Sequence, residues 1–185
     1  MMWRTVRPML LSAVLIVTAM SLFGCGYALV GTASNLPEDI REIYVEPLEN
    51  ATARTQLGQI LTQALADELV LRRRFDVVNS PDSADALLRG TVIGFRVRPV
   101  TYNAEGLATN FEIEITANMR FQRVPAIGQP EEEAEVIWAN ARYLFRRDYP
   151  VEDAGLDFVE RETEAIEETA EEFAETLIID LLEGF

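Results

Sequence analysis

Between Phe111 and Phe121 the side chains alternate without a break. Phe111, Ile113, Ile115, Ala117, Met119 and Phe121 fall on one side, and Glu112, Glu114, Thr116, Asn118 and Arg120 on the other. A period of two over so long a run is a strand with one buried and one wet face. A sheet built on it is covered on one side only, and the cover must come from elsewhere in the chain.

Two amphipathic segments are available for that cover. Leu57, Ile60, Leu61, Ala64, Leu65 and Leu69 follow i, i+3, i+4 spacing and predict a helix over about 53–72. Near the carboxyl end, Leu156, Val159, Thr163, Ile166, Ala170, Phe173, Leu177 and Leu181 form a stripe, with Glu162, Glu164, Glu168, Glu171, Glu172 and Glu175 off it. A helix of about 30 residues, roughly 45 Å long, is expected there. The stripe fits a coiled-coil seam or a broader sheet-packing face, and Phe158, Ala174, Ile178 and Leu182 widen it toward the second.

The remaining strands are read from composition and punctuation. Ile40–Leu48 is β-rich and stops near Pro47, which places a strand at about 41–46. Phe75–Val78 is a short strand ended by Asn79-Ser80-Pro81-Asp82. Ala86–Pro99 is a long one, and the loop 101–106 turns it into an antiparallel pairing with the strand from Phe111. The loop 124–133, with Pro125, Gly128 and Pro130, precedes a last strand at about 135–146 in which a bulge changes the inward face. The expected fold class is α+β: a single domain with a mixed four- to five-stranded sheet covered on one face by two helices.

The amino-terminal residues stand apart from that domain. Arg4 and Arg7, the apolar run Leu10–Leu22 and Phe23-Gly24-Cys25 have the layout of a secretory signal. The apolar run is short for a membrane span, which needs roughly 20 residues. Residues 1–24 are therefore expected to be a signal peptide, 25–37 an acylated cysteine with its tether, and 38–185 the periplasmic domain. Leu22-Phe23-Gly24-Cys25 resembles a lipobox, and Cys25 is the expected lipidation site. Its thiol is the only side chain here able to form a thioether to diacylglycerol, and several palmitate-like chains anchor stably where one is marginal.

Composition narrows the chemistry. The chain has no histidine and no lysine; its sixteen basic residues are all arginine. Without Arg4 and Arg7, 14 arginines face 31 acids, a formal charge of −17. That field opposes nucleic-acid phosphate, so no nucleic-acid partner is expected. Histidine-activated nucleophiles, lysine Schiff bases and zinc sites all lack their residues. Neither an enzyme, a cofactor nor a metal site is expected. The glutamates of the last helix read as a solvated face, and Gly90 and Gly94 lie inside a strand rather than before a helix. Two arginine groups stay open. Arg72, Arg73 and Arg74 are a helix-end charge cluster or a phosphate contact. Arg96 and Arg98 read phosphate, or pair across the sheet with Glu112 or Glu114.

At Gly24-Cys25-Gly26-Tyr27-Ala28-Leu29-Val30-Gly31, Leu36-Pro37-Glu38-Asp39-Ile40, Ile43-Tyr44-Val45-Glu46-Pro47-Leu48-Glu49-Asn50 and Ala84-Asp85-Ala86-Leu87-Leu88-Arg89-Gly90, the sequence resembles the lipopolysaccharide-assembly lipoproteins of the LptE family. The resemblance implies an outer-membrane lipoprotein on the periplasmic side. It also implies a role as plug and assembly partner of the LptD β-barrel in lipopolysaccharide transport, and contact with lipopolysaccharide itself. By location, Arg96, Arg98, Arg146 and Arg147 are the candidate lipopolysaccharide or phosphate contacts. A second resemblance, to periplasmic lipoproteins that activate a peptidoglycan synthase or form secretion pores, rests on the strand ending in Glu49-Asn50, the following helix and Phe75-Asp76-Val77-Val78.

Overall fold

The computed structural model describes residues 36–37, 39–125, 130, 133–151 and 158–183, with no side-chain description for 158–161. Cys25, the signal segment, most of the tether and much of the loop 124–133 lie outside the described residues. Ser34–Phe185 is one compact unit. Leu36 and Ile40 are both in its core, so the folded unit takes in the last residues of the expected tether.

In chain order the elements are β1 (Glu42–Val45), β2 (Glu49–Asn50), α1 (Leu57–Leu71), β3 (Asp76–Val77), a 3-10 turn (Pro81–Ser83), β4 (Ala86–Tyr102), β5 (Ala108–Arg123), β6 (Val136–Pro150) and α2 (Phe158–Glu183). The sheet runs β3-β1-β4-β5-β6, and β2 lies on the same side of β4 as β1. β3, β1, β2 and β4 are parallel; β4, β5 and β6 form an antiparallel meander. Six strands replace the expected four or five because the first strand resumes after Pro47, which has no N–H for the ladder. The Glu46 and Ala51 amides still reach Leu88 and Val92 carbonyls of β4, both at 2.9 Å.

α1 presents Leu57, Gly58, Leu61, Leu65 and Leu69 to the sheet. It starts four residues later than its periodicity predicts, because Asn50 holds the preceding segment in turns. The Asn50 amide donates to the Arg54 carbonyl (2.6 Å), and its oxygen accepts from the Thr52 amide (2.9 Å). The helix start is pressed onto the β1–β2 break. Thr62 accepts from the Leu48 amide (2.9 Å) and donates to the Gly58 carbonyl (2.7 Å), and a Cβ on Gly58 would lie 2.7 Å from the Leu48 carbonyl oxygen.

α2 buries Ala165, Ile166, Thr169, Ala170, Phe173, Ala174, Leu177, Ile178 and Leu181, a stripe too wide for a two-stranded seam. Leu156 of the predicted stripe lies outside the described residues, and Thr163 is exposed. Tyr143 and Phe145 of β6 meet Phe173 edge-to-face, with centroids 5.5 and 6.0 Å apart. Thus both helices cover the face that carries Ile113, Ile115, Ala117, Met119 and Phe121, all fully buried. At Gly90 a Cβ would fall 2.5 Å from the sulfur of Met119, its cross-strand partner, so the glycine leaves room for a core side chain.

Candidate interaction surface

Beyond Val92, β4 has no strand neighbour on its β2 side among the described residues, and it continues for ten more residues with β5 as its strand partner. Register shifts occur between Val92 and Gly94 and near Thr101 in β4, and between Ala117 and Met119 of β5 against β6. Bulges of this kind, with Pro99, protect an open edge from pairing with another chain. The β4–β5 hairpin therefore projects past the end of α1.

Its tip is a built turn. The Asn103 side-chain oxygen accepts from the Glu105 and Leu107 amides (3.1 and 2.8 Å), the Asn103 amide donates to the Leu107 carbonyl (2.9 Å), and Gly106 takes φ +81°. The turn presents apolar side chains to solvent: Tyr102 and Leu107 are each 58% exposed, with Val100 beside them.

Behind the tip, the helix-free face carries two charged rows. Arg96 of β4, Glu114 of β5 and Arg146 of β6 are register neighbours, as are Arg98, Glu112 and Asp148. Arg98 bonds Glu112 (2.7 Å), and Arg146 bonds Glu114 (2.9 Å) with Glu112 at 4.0 Å. The Arg146 hydrogen bond holds the Glu114 carboxyl below its ordinary range, and the bond to Glu112 holds the Arg98 guanidinium above its own. Arg96 is exposed and makes no ion pair with a described residue. Three of the four candidate arginines are thus brought together on one surface.

Arg147 is not among them. Strand alternation turns it to the opposite face, where it bonds Glu168 (2.7 Å) and Glu172 (2.8 Å) of α2. Burial alone would weaken its charge, but the two carboxylates outweigh that and hold it charged.

The whole-chain charge conceals a segregation. β4, β5 and β6 carry eight arginines against three acids, Glu112, Glu114 and Asp148. α1 has two acids and no basic residue, and α2 ten acids and only Arg161. A strongly acidic protein therefore offers a basic meander, while β1, β2 and β3 carry only the acids Glu42, Glu49 and Asp76. Between the helices, a groove of about 850 Å³ is rimmed by Asp67, Glu167, Glu171 and Glu175 over Ile60 and Ala64. Among the described residues, no group of acidic or cysteine side chains is arranged to hold a metal ion, and no helix is long and apolar enough to cross a membrane.

Comparison with known proteins decides the family. The lipopolysaccharide-assembly family LptE matches residues 40–181, which take in the sheet and nearly all of both helices. The chain belongs to the LptE family. No curated protein matches it. Among solved structures similar to this LptE-family chain are the PelC dodecamer from Paraburkholderia phytofirmans (14% identity, 82% of this chain and 94% of that one, TM-score 0.50), lipoprotein B from Nitrosomonas europaea (19%, 85% and 90%, 0.49) and the rare lipoprotein B from Shewanella oneidensis (14%, 76% and 93%, 0.47). The family, the described strands and helices, and the likeness to the PelC fold bear out the α+β class, with two helices on a mixed, open sheet.

Proposed function

We propose that this LptE-family chain is held to the periplasmic side of the outer membrane by acyl chains on Cys25 and acts as plug and assembly partner of an LptD-type β-barrel. In this reading the hairpin end of the sheet handles lipopolysaccharide on its way to the outer leaflet. Family membership over residues 40–181 supports the place in lipopolysaccharide assembly. The observation that carries the surface assignment is the juxtaposition of Arg96, Arg98 and Arg146 with the apolar tip at Val100, Tyr102 and Leu107.

The chemistry suits an amphiphile bearing phosphates. A guanidinium offers a planar fork of donors to a phosphate, and Arg96 has no competing ion pair with a described residue. Arg98 and Arg146 exchange a carboxylate for a phosphate when one arrives, and exposed ion pairs are weak enough to permit that exchange. The tip supplies apolar area for the acyl portion of the same molecule. Arg147, committed to α2, has no part in this surface. The role is one of binding and placement and calls for no catalytic residue.

Co-isolation tests the proposal. The acylated chain, extracted from outer membrane in mild detergent, is expected to bring down one large β-barrel protein in near-equal amount, and Cys25→Ala to lose it with its membrane location. A peptidoglycan synthase, or copies of this chain alone, would overturn the reading. Replacing Arg96, Arg98 and Arg146 together by Gln is expected to lower lipopolysaccharide retention while leaving the barrel bound.

A further inference from the structure

The opposite end of the sheet carries a surface of a different kind. α1 runs back from the β1–β2 break and ends beside the point where the chain enters the domain. There Glu42 of β1 and Asp76 of β3 are register neighbours along the backbone, the Asp76 amide donates to the Arg41 carbonyl (2.9 Å), and Asp39 bonds Arg123 at the end of β5 (2.7 Å). At this corner α1 leaves Val70 56% and Leu71 73% exposed, and Leu71 is the most exposed large apolar side chain among the described residues. Arg72, Arg73 and Arg74 follow at once.

These arginines are only partly used by the fold. Arg72 reaches back one turn to Glu68 (2.6 Å). Arg73 stands in a left-handed conformation, φ +52°, which turns the chain out of the helix, and it makes no ion pair with a described residue. Arg74 lies 5.3 Å over the Phe75 ring. Of the other acids of the corner, Asp39 and Glu135 are engaged by Arg123 and Asp85 by the amides of Arg41 and Glu42, while Glu42 and Asp76 are exposed and make no ion pair with a described residue. Two exposed apolar side chains followed by three cations are the composition of a membrane-interface contact, in which apolar groups enter the headgroup boundary and guanidinium groups meet phosphate.

We infer that this corner, Val70 to Arg74, docks on an anionic phospholipid surface beside the anchor. The inference rests on the reading of Cys25 as the acylated residue. Ten residues lie between Cys25 and Leu36, and even fully extended the eleven steps from one to the other span at most about 40 Å. The tether therefore keeps the entry end, and with it this corner, near the bilayer that holds the acyl chains. The acidic outer face of α2 does not cancel the attraction, because charges more than about 8 Å apart at physiological salt are largely screened. The hairpin tip lies at the other end of β4, whose 17 residues span about 56 Å. Membrane contact and lipopolysaccharide contact thus occupy opposite ends of one sheet.

Spin-label accessibility tests this in the full, acylated protein reconstituted without any barrel in phosphatidylethanolamine vesicles containing phosphatidylglycerol. Cys25 is the chain's one cysteine, and its sulfur is blocked by the anchor, so Leu71→Cys and Tyr102→Cys each provide a unique thiol on an exposed site. The label at 71 is expected to be shielded from a water-soluble nickel chelate and open to oxygen, and the label at 102 to remain open to the chelate. That contrast should be lost in vesicles of neutral phosphatidylcholine, and when Arg72, Arg73 and Arg74 are all replaced by Gln. Equal chelate access at 71 and 102, or shielding at 71 that survives both changes, overturns the inference. The mass of the amino-terminal peptide shows separately whether Cys25 is acylated, and co-isolation of a barrel reads the proposed function independently.

Discussion

Phe173→Ala should be among the most damaging single changes in the domain, and its size follows from the sandwich. The ring is fully buried at the centre of the α2 stripe, edge-to-face with both Tyr143 and Phe145 of β6. Truncating a buried phenylalanine costs about 3–5 kcal/mol, combining lost transfer energy with the cavity left behind. The aromatic geometry places this site toward the upper part of that range, since each such pair is worth roughly 0.5–1.5 kcal/mol beyond its area. Against a typical stability of about 5–15 kcal/mol, that is about a quarter or more of the total. In a protein of this size each kcal/mol moves Tm by about 2–4 °C, so a fall of roughly 10–15 °C is expected. Urea denaturation followed by far-UV circular dichroism measures it directly: the midpoint should fall with the slope unchanged. A double-mutant cycle with Phe145→Ala should return a coupling of about 0.5–1.5 kcal/mol. Glu171→Gln on the outer face of the same helix serves as the neutral control. A loss below about 1 kcal/mol for Phe173→Ala would mean that α2 is not seated on the sheet as described.

Gly58→Ala should destabilise by about 1–3 kcal/mol by chemical denaturation, because its Cβ meets the immovable Leu48 carbonyl oxygen rather than a flexible side chain, which outweighs the helix propensity gained. Asp85 accepts from the Arg41 and Glu42 amides, and those bonds hold its carboxyl below the usual range. Its stabilisation is therefore complete above the unfolded aspartate value of about 3.9 and is lost as pH falls through the lower folded value. Asp85→Ala should be less stable than the parent at pH 7, with the gap closing toward pH 2; a gap constant with pH would refute the assignment. Burial, with Asp180 beside it, pushes the Tyr143 phenol well above its ordinary value, so the neutral form is favoured in the folded state. Stability from this group is intact below the unfolded value of about 10 and declines as pH rises past it. Tyr143→Phe should accordingly show a shallower stability loss between about pH 10 and 11.

How much of this was legible in the residues differs by element. The alternation from Phe111 to Phe121 identified the buried face of β5 residue by residue, because a one-sided sheet writes its environment into a period of two. The α2 stripe identified the second layer for the same reason. The ends of elements were less legible, since they depend on partners distant in sequence. β2 exists because β4 offers Thr91 and Val92 as partners after Pro47. β4 runs on past Pro99 because that part of it is an edge strand, where a missing N–H leaves no ladder position empty. Arg96, Arg98 and Arg146 were found as individuals, but their gathering into two rows depends on the register of three strands. The net charge of the chain argued against an anion-binding surface, and only the gathering of acids on the helices shows that the β4–β6 meander carries an excess of arginine.

Photocrosslinking in living cells probes which surface meets the barrel and lipopolysaccharide, with a photoreactive residue in place of Tyr102 at the hairpin tip or of Glu171 on the outer face of α2. Position 102 is expected to yield adducts with a large outer-membrane β-barrel or with lipopolysaccharide, and position 171 neither. Adducts from position 171 with none from position 102, or adducts only with other copies of this chain, would refute the surface assignment.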